Sequence, residues 1–235
     1  MIPVMLVDDD RLTRMGLSLM ISKDKALQVV AEADDGAQAI GLLRERQTQG
    51  HGLPQVILMD VRMPRMDGVD ATRIISQEFP ACKTLILTTY DQDDYAFSAI
   101  EAGASGFLLK DTKTAQLQAA VHAVAEGDAV LTPRITRQLL DRSRARQTVP
   151  PAADPNAAFR ASFASLSERE RELAALIAQG LNNAEIADRL VIEPTSARRA
   201  VSRLLAKLHL RDRVQVAVSW YKSGLGNKRG ADNNF

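Results

Sequence analysis

A carboxylate cluster, a hydroxyl pair and an amine close four apolar runs in the first half of the chain. Val4–Val7 runs into Asp8-Asp9-Asp10, Val56–Met59 into Asp60, Thr84–Thr88 ends in the pair Thr88-Thr89, and Gly106–Leu109 meets Lys110. Carboxylates crowded together repel, and they cannot all ionise cheaply without a cation. Oxygen-only ligands in an open, hydrated site suit Mg2+ (or Mn2+), which keeps several waters and is commonly completed by a phosphate oxygen. With a lysine and a threonine hydroxyl on the other side, Asp60 is set up to take a phosphoryl group as an acyl phosphate. Metal and lysine would neutralise the phosphoryl oxygens, and the carboxylate itself would be the in-line attacker.

These residues can act together only if the chain brings the run ends to one place. Between the runs, which include Leu27–Ala33, lie amphipathic stretches near 11–21, 36–46, 67–78, 92–102 and 113–126. Five strand–helix units with nearly uninterrupted apolar strands predict an α/β fold, a parallel sheet covered by helices on both faces. Function in such sheets sits beyond the carboxyl ends of the strands, at the topological switch point. The end of the second run, Glu32-Ala33-Asp34-Asp35-Gly36, reads as an ordinary turn and helix cap.

The second half is a different kind of chain. Residues 1–130 hold 12 Lys/Arg against 19 Asp/Glu, a net of −7, and residues 131–235 hold 18 against 10, a net of +8. An acidic half followed by a basic half predicts two domains with different partners, the second a polyanion. Residues 131–144 read as a helix, and "QTVPPAADPNAAFRAS" after them as a linker. Ser167-x-x-Glu170 is a capping box, and Asn182-x-x-Glu185 resembles one. A third helix starts at Pro194, with Ala197, Val201, Leu204, Leu205 and Leu208 on one face and Thr195, Arg198, Arg199, Ser202 and Arg203 opposite. Two short helices followed by a basic, exposed one is the arrangement of a helix-turn-helix.

The motifs "LVDDD", "ILMDVRMPRMDG", "LTTYD" and "GASGFLLKD", in this order and spacing, make residues 1–126 resemble a response-regulator receiver domain. The resemblance implies a flavodoxin-like (βα)5 fold. It implies Asp60 as phosphoacceptor, and Asp8, Asp9, Asp60 and the backbone carbonyl of Arg62 as ligands of the metal. It also implies Thr88 as switch hydroxyl, Lys110 as its partner at the phosphoryl group, and Phe107 at a switch position that is often Tyr. With Phe there, any switch at 107 rests on packing alone. Met63-Pro64 and Gly68 fit the loop that closes over the site.

From about residue 165 to 223 the chain resembles the small all-α, four-helix LuxR/NarL-type helix-turn-helix output domain. That implies DNA contacts from Thr195, Ser196, Arg198, Arg199, Ser202, Arg203 and Lys207, and a last helix near Val214–Ser223 that often serves as a dimer contact. By charge and reach, Arg198, Arg199 and Ser202 fit base edges, and Arg203 and Lys207 fit phosphates. Ala197, Arg199 and Ala200 depart from the residues common there.

The organisation expected is a receiver over 1–128, helix and linker over 129–164, a DNA-binding domain over 165–223 and a flexible tail over 224–235. The expected partners are a sensor histidine kinase, double-stranded promoter DNA and, on phosphorylation, a second copy of the chain. One cysteine, Cys82, rules out an internal disulfide, and with three histidines it makes a zinc site a poor fit. No apolar run approaches the ~18–20 residues of a membrane span. "MIPVMLVDDD" lacks the basic flank of a signal peptide, so a cytoplasmic protein is expected.

Three other readings fit less well. A phosphohydrolase would want a second Asp two residues after the nucleophile, and position 62 is Arg. A contact-only receiver need not keep all of Asp8, Asp9, Asp60, Thr88 and Lys110. An RNA binder needs stacking platforms, yet aromatics are 4% and none interleave the basic residues. Gly224-x-Gly226 with Gly230 follows a helix and is not a dinucleotide fingerprint.

Overall fold

A computed structural model of the chain describes residues 1–89, 93–128, 130 and 157–225. It divides into two compact units, Met1–Ile135 and Thr136–Phe235.

The first unit alternates strand and helix. In order these are β1 (Ile2–Val7), α1 (Arg11–Ser22), β2 (Leu27–Ala33), α2 (Gly36–Thr48), β3 (Val56–Asp60), α3 (Gly68–Glu78), β4 (Lys83–Thr88), α4 (Asp93–Ala102), β5 (Gly106–Leu109) and α5 (Thr114–Ala125). The sheet is parallel throughout, with order β2-β1-β3-β4-β5. Its switch point therefore lies between β1 and β3, the strands that carry the expected carboxylates. Alternation decides the core: Val4, Leu6, Val56, Leu58, Leu85 and Leu87 pack with Leu17, Ile21, Leu117 and Val121 of α1 and α5. The residues between them, such as Met5, Ile57 and Ile86, are also wholly buried, as a sheet covered on both faces requires. Asp10, Asp35 and Asp67 cap α1, α2 and α3 with side-chain oxygens; α1 and α2 start close beyond their strand ends, and α3 starts after the loop that leaves Asp60.

At the outer edge of β5, Val130 forms a parallel bridge to Gly106, and the Phe107 amide donates to its carbonyl at 2.7 Å. The side of Gly106 facing it is filled: a Cβ there would come within 3.1 Å of the Val130 oxygen.

The second unit consists, over its described residues, of α6 (Ala157–Ala164), α7 (Glu168–Ala178), α8 (Asn183–Leu190), α9 (Pro194–Leu208) and α10 (Arg213–Lys222). Leu173, Ile177, Ile186, Ala197, Val201, Leu204, Val216 and Trp220 form its core. Both expected capping boxes are complete, Ser167 with Glu170 and Asn182 with Glu185. One reading is corrected. The C-terminal part of the stretch taken for linker is helical, and Phe163 of α6 is buried edge-to-face against Trp220, centroids 5.3 Å apart. Alanines dominate α6, so its sequence carries little periodicity. The helix expected over 131–144, the proline-rich part of the linker up to 156 and the last ten residues of the chain lie outside the described residues.

The turn between α8 and α9 carries a misfit. Val191 ends α8 with φ of 54° and its side chain 90% exposed. A β-branched residue in this left-handed region is strained. Val191→Asn, which tolerates the conformation and loses no buried contact, is expected to stabilise the helical unit by about 1 kcal/mol. Thermal unfolding checks this, and a lower melting temperature would refute it.

Candidate functional site

The carboxyl ends of the central strands converge as expected. Asp8 leaves β1, Asp60 is the last residue of β3, and Asp9 follows Asp8. One oxygen from each lies within 4.8 Å of the others; Asp8 and Asp60 are buried and Asp9 is exposed. Lys110, just past β5, enters between two of them, its Nζ 2.7 Å from Asp8 Oδ2 and 2.8 Å from Asp60 Oδ1. Its own amide donates to the Thr88 carbonyl at 2.7 Å, which fixes where the side chain starts.

Burial pushes the Asp60 carboxyl above the ordinary carboxylate range, and the neighbouring Asp8 pushes the same way. Lys110 pulls against them without winning. Lys110 itself is held above the usual lysine range: burial works against its charge, but the two carboxylates prevail. One ammonium therefore does not compensate this site. Three carboxylates, one of them open to solvent, together with a net shortage of positive charge are a donor set that fits a hard, partly hydrated divalent cation.

The other expected residues are nearby in different senses. Thr88 ends β4, next to β3, and is buried; its hydroxyl donates to the Thr89 carbonyl at 3.3 Å. Phe107 pairs with Ile86 across β4 and β5 and is 3% exposed, its ring inside the unit. Arg62 is exposed on the loop leaving Asp60. That loop closes tightly: the Gly68 amide donates to the Val61 carbonyl at 2.9 Å. A Cβ on Gly68 would come within 1.9 Å of the Asp60 carbonyl oxygen, so glycine is required by close approach.

Two contacts around the site were not foreseen. Asp35, fully buried, caps α2 and also takes an ion pair from Arg65, a residue of the Asp60 loop with φ of 63°. Arg14 of α1 donates to the Asp8 carbonyl. A sequence signal for Arg14 existed. A basic residue in the first turns of a helix opposes the macrodipole and asks for local compensation. Nothing in the sequence announces the left-handed backbone at Arg65.

On α9 the face opposite the core carries the expected DNA-contact residues. Thr195, Ser196, Arg198, Arg199, Ser202, Arg203 and Lys207 are all exposed, while Ala197, Val201, Leu204 and Leu208 are buried. Ser202 bonds back to the Arg198 carbonyl at 3.1 Å, within the helix. Lys207 differs from the rest: its Nζ lies 2.6 Å from Glu170 Oε2, the acid of the α7 capping box. That ammonium, with the Ser167 amide, lowers the Glu170 carboxyl to about 2.

Comparison with known proteins agrees with both halves. The family described as "Response regulator receiver domain" matches residues 4–122, and "Bacterial regulatory proteins, luxR family" matches 164–220. The transcriptional regulatory protein LiaR of Bacillus subtilis (strain 168) is 35% identical over 227 residues, covering 97% of this chain and all of the relative. The response regulator protein VraR of Staphylococcus aureus (strain NCTC 8325 / PS 47) is 32% identical, covering 95% of this chain and 98% of its own. Among solved structures, a LuxR-family two-component response regulator from Aurantimonas sp. SI85-9A1 is 34% identical with a TM-score of 0.52, over 60% of this chain and 96% of that one. An RcsB–DNA complex shares the fold, with a TM-score of 0.52 over 94% of this chain and 98% of that one, at 19% identity. Among the described residues no helix is long and apolar enough to cross a membrane. With a receiver domain leading and a LuxR-type regulatory domain following across almost the full length of such relatives, the chain belongs to the two-component response regulators of transcription.

Proposed function

We propose that Asp60 accepts a phosphoryl group from a sensor histidine kinase and that this modification controls DNA binding by α9. The observation that carries the proposal is Lys110 Nζ bridging Asp60 and Asp8, both buried, at the switch point of the sheet. Asp8, Asp9, Asp60 and the backbone carbonyl of Arg62 would hold Mg2+ or Mn2+. When bound, the ion supplies positive charge for the phosphoryl oxygens.

The chain's own part of the reaction follows from the geometry. An Asp60 carboxylate oxygen forms the new O–P bond as the P–N bond to the kinase histidine breaks, and the freed imidazole keeps the electron pair. Lys110 then has phosphoryl oxygens to pair with in place of the Asp60 oxygen. Thr88, one strand away, supplies a hydroxyl donor once it turns from the Thr89 carbonyl. Phe107, lacking a hydroxyl, follows by packing alone. Position 62, two residues after Asp60, is Arg and not the second Asp of a phosphohydrolase, so slow self-hydrolysis is the turnover proposed for this site rather than that of a dedicated enzyme.

The output follows from the second unit. The modified receiver shifts population toward a state that dimerises. Two α9 helices about 34 Å apart would then read a two-fold site on double-stranded DNA. Arg198, Arg199 and Ser202 are assigned to base edges, Arg203 and Lys207 to phosphates, and Thr195 and Ser196 to the helix start. Lys207 must leave Glu170 to do so. RcsB, which shares this fold, has a solved structure in complex with DNA. The domain limits proposed are 1–128 for the receiver, 129–164 for the connection, 165–223 for the DNA-binding domain and 224–235 for the tail, in a protein of the cytoplasm.

The first test uses a small acyl phosphate donor with MgCl2 and the intact mass of the protein. Wild type gains one phosphoryl group and Asp60→Asn gains none; equal gain by Asp60→Asn would show the assignment to be wrong. Sizing and DNA affinity with and without beryllofluoride, across a salt series, then test the switch. An unchanged oligomer with unchanged affinity would remove it and leave the phosphoacceptor standing.

A further inference from the structure

Asp8 is held at four points, the first being its amide, which donates to the Ala33 carbonyl at the end of β2 at 3.2 Å. Its Oδ1 accepts the Asp10 amide at 3.0 Å, its Oδ2 faces Lys110 at 2.7 Å, and its carbonyl accepts from Arg14 Nη1 at 2.5 Å. The hold on the carbonyl comes from a side chain outside the site. Arg14 is the fourth residue of α1, its side chain is 12% exposed, and it reaches both β1 and β2. Its Nη2 lies 2.9 Å from Asp34 Oδ1 and its Nε 3.5 Å from Glu32 Oε2. One planar guanidinium thus ties the peptide of Asp8 to the carboxyl end of β2, a strand that offers no ligand of its own. Lysine, a point charge on a flexible stem, cannot make these contacts in fixed directions.

Asp8 is the first residue beyond β1, and no further ladder pair holds its carbonyl. The orientation of that peptide sets where the Asp8 carboxylate and the following Asp9 point. We propose that Arg14 is a positioning residue for the divalent-cation site: by holding the Asp8 carbonyl against β2, it aims Asp8 and Asp9 at Asp60. This rests on the reading that Asp8, Asp9 and Asp60 hold a cation.

The sign of the effect separates positioning from simple charge. Arg14 is a cation close to the site, so by Coulomb repulsion alone its removal tightens the binding of another cation. A positioning role predicts weaker binding, because outer partners that orient metal ligands are typically worth 10–100-fold in affinity. Arg11 lies in the same first turn of α1 but is exposed, and Arg11→Gln removes the same charge without touching Asp8.

Direct titration of the full-length protein with Mn2+, read by electron paramagnetic resonance as the loss of free-ion signal, is the test. Arg14→Gln is expected to bind Mn2+ about tenfold more weakly than wild type, and Arg11→Gln equally well or more tightly. Arg14→Lys keeps the charge and the helix, and it should be weakened too; under a charge-only role it would match wild type. Mn2+ binding by Arg14→Gln or Arg14→Lys that equals or exceeds wild type overturns the positioning role while the cation site stands. Wild-type protein that fails to bind Mn2+, or that binds it unchanged in Asp60→Asn, overturns the cation site and this inference with it.

Discussion

Gly68→Ala is expected to destabilise the receiver unit by roughly 4 kcal/mol or more, among the largest effects of any single methyl group in the chain. The new Cβ would meet the Asp60 carbonyl oxygen at 1.9 Å, with the Asp60 carbonyl carbon and Met59 Cγ both at 3.0 Å. Relief by side-chain movement is closed off, because the obstacle is backbone. β3 cannot shift either: it is paired on both sides, with β1 and β4. Gly68 is also tied in place, donating to Val61 and accepting from the Thr72 hydroxyl at 2.6 Å. The chain must therefore pull α3 away from the Asp60 peptide, which moves the Asp60 side chain as well. Gly41→Ala in the interior of α2, where nothing lies within 4 Å of a Cβ, supplies the contrast and should gain about 0.5–1 kcal/mol. Urea denaturation of both variants decides the point. Comparable stabilities would show that close approach at Gly68 has no energetic weight.

Lys110→Met is expected to cost roughly 3 kcal/mol in metal-free protein, since it leaves Asp8 and Asp60 buried and face to face. The pH dependence carries the more specific claim. The Asp60 carboxyl already sits above its ordinary 3.8 in the folded protein, and the loss of Lys110 takes it further up. A carboxyl whose folded pKa exceeds its unfolded one binds its proton more tightly when folded. It therefore lowers stability above the folded pKa, and that penalty is relieved as pH falls toward the unfolded value. The deficit of Lys110→Met in EDTA should thus shrink between neutral pH and the ordinary carboxylate range. Added Mg2+ should shrink it at neutral pH by replacing the missing charge. A deficit indifferent to both pH and Mg2+ would mean that Lys110 contributes packing rather than charge.

Much of this site was legible because it is made of strand ends. A strand in a parallel sheet announces itself by an apolar run, and the residue after the run is then forced to the carboxyl edge. Asp8, Asp60 and Lys110 are legible in that way from the sequence alone. The sheet order, with β1 beside β3, is what makes Asp8 and Asp60 adjacent. What escaped was tertiary. Arg14 and Glu32 come from different elements, and no local pattern links a helix arginine to a strand-end glutamate. Arg65 is left-handed because the loop must turn there, in a position where glycine or asparagine would have signalled the turn and arginine does not. α6 was hidden by its shortness and its alanines: in eight residues only Phe159 and Phe163 are larger apolar side chains, too few to read a hydrophobic period.

The short bridge at Val130 bears on how the receiver behaves among its own copies. A five-stranded open sheet has two edges, here β2 and β5, and each is a template on which another chain can pair. On β5 the Phe107 amide is already engaged by Val130, and the room beside Gly106 is taken. A neighbour adding a strand there must first peel residue 130 away and expose apolar surface that now packs with Leu85. The chain that leaves the receiver thus doubles as a guard on its edge, and it favours assembly through side chains over runaway strand-to-strand stacking.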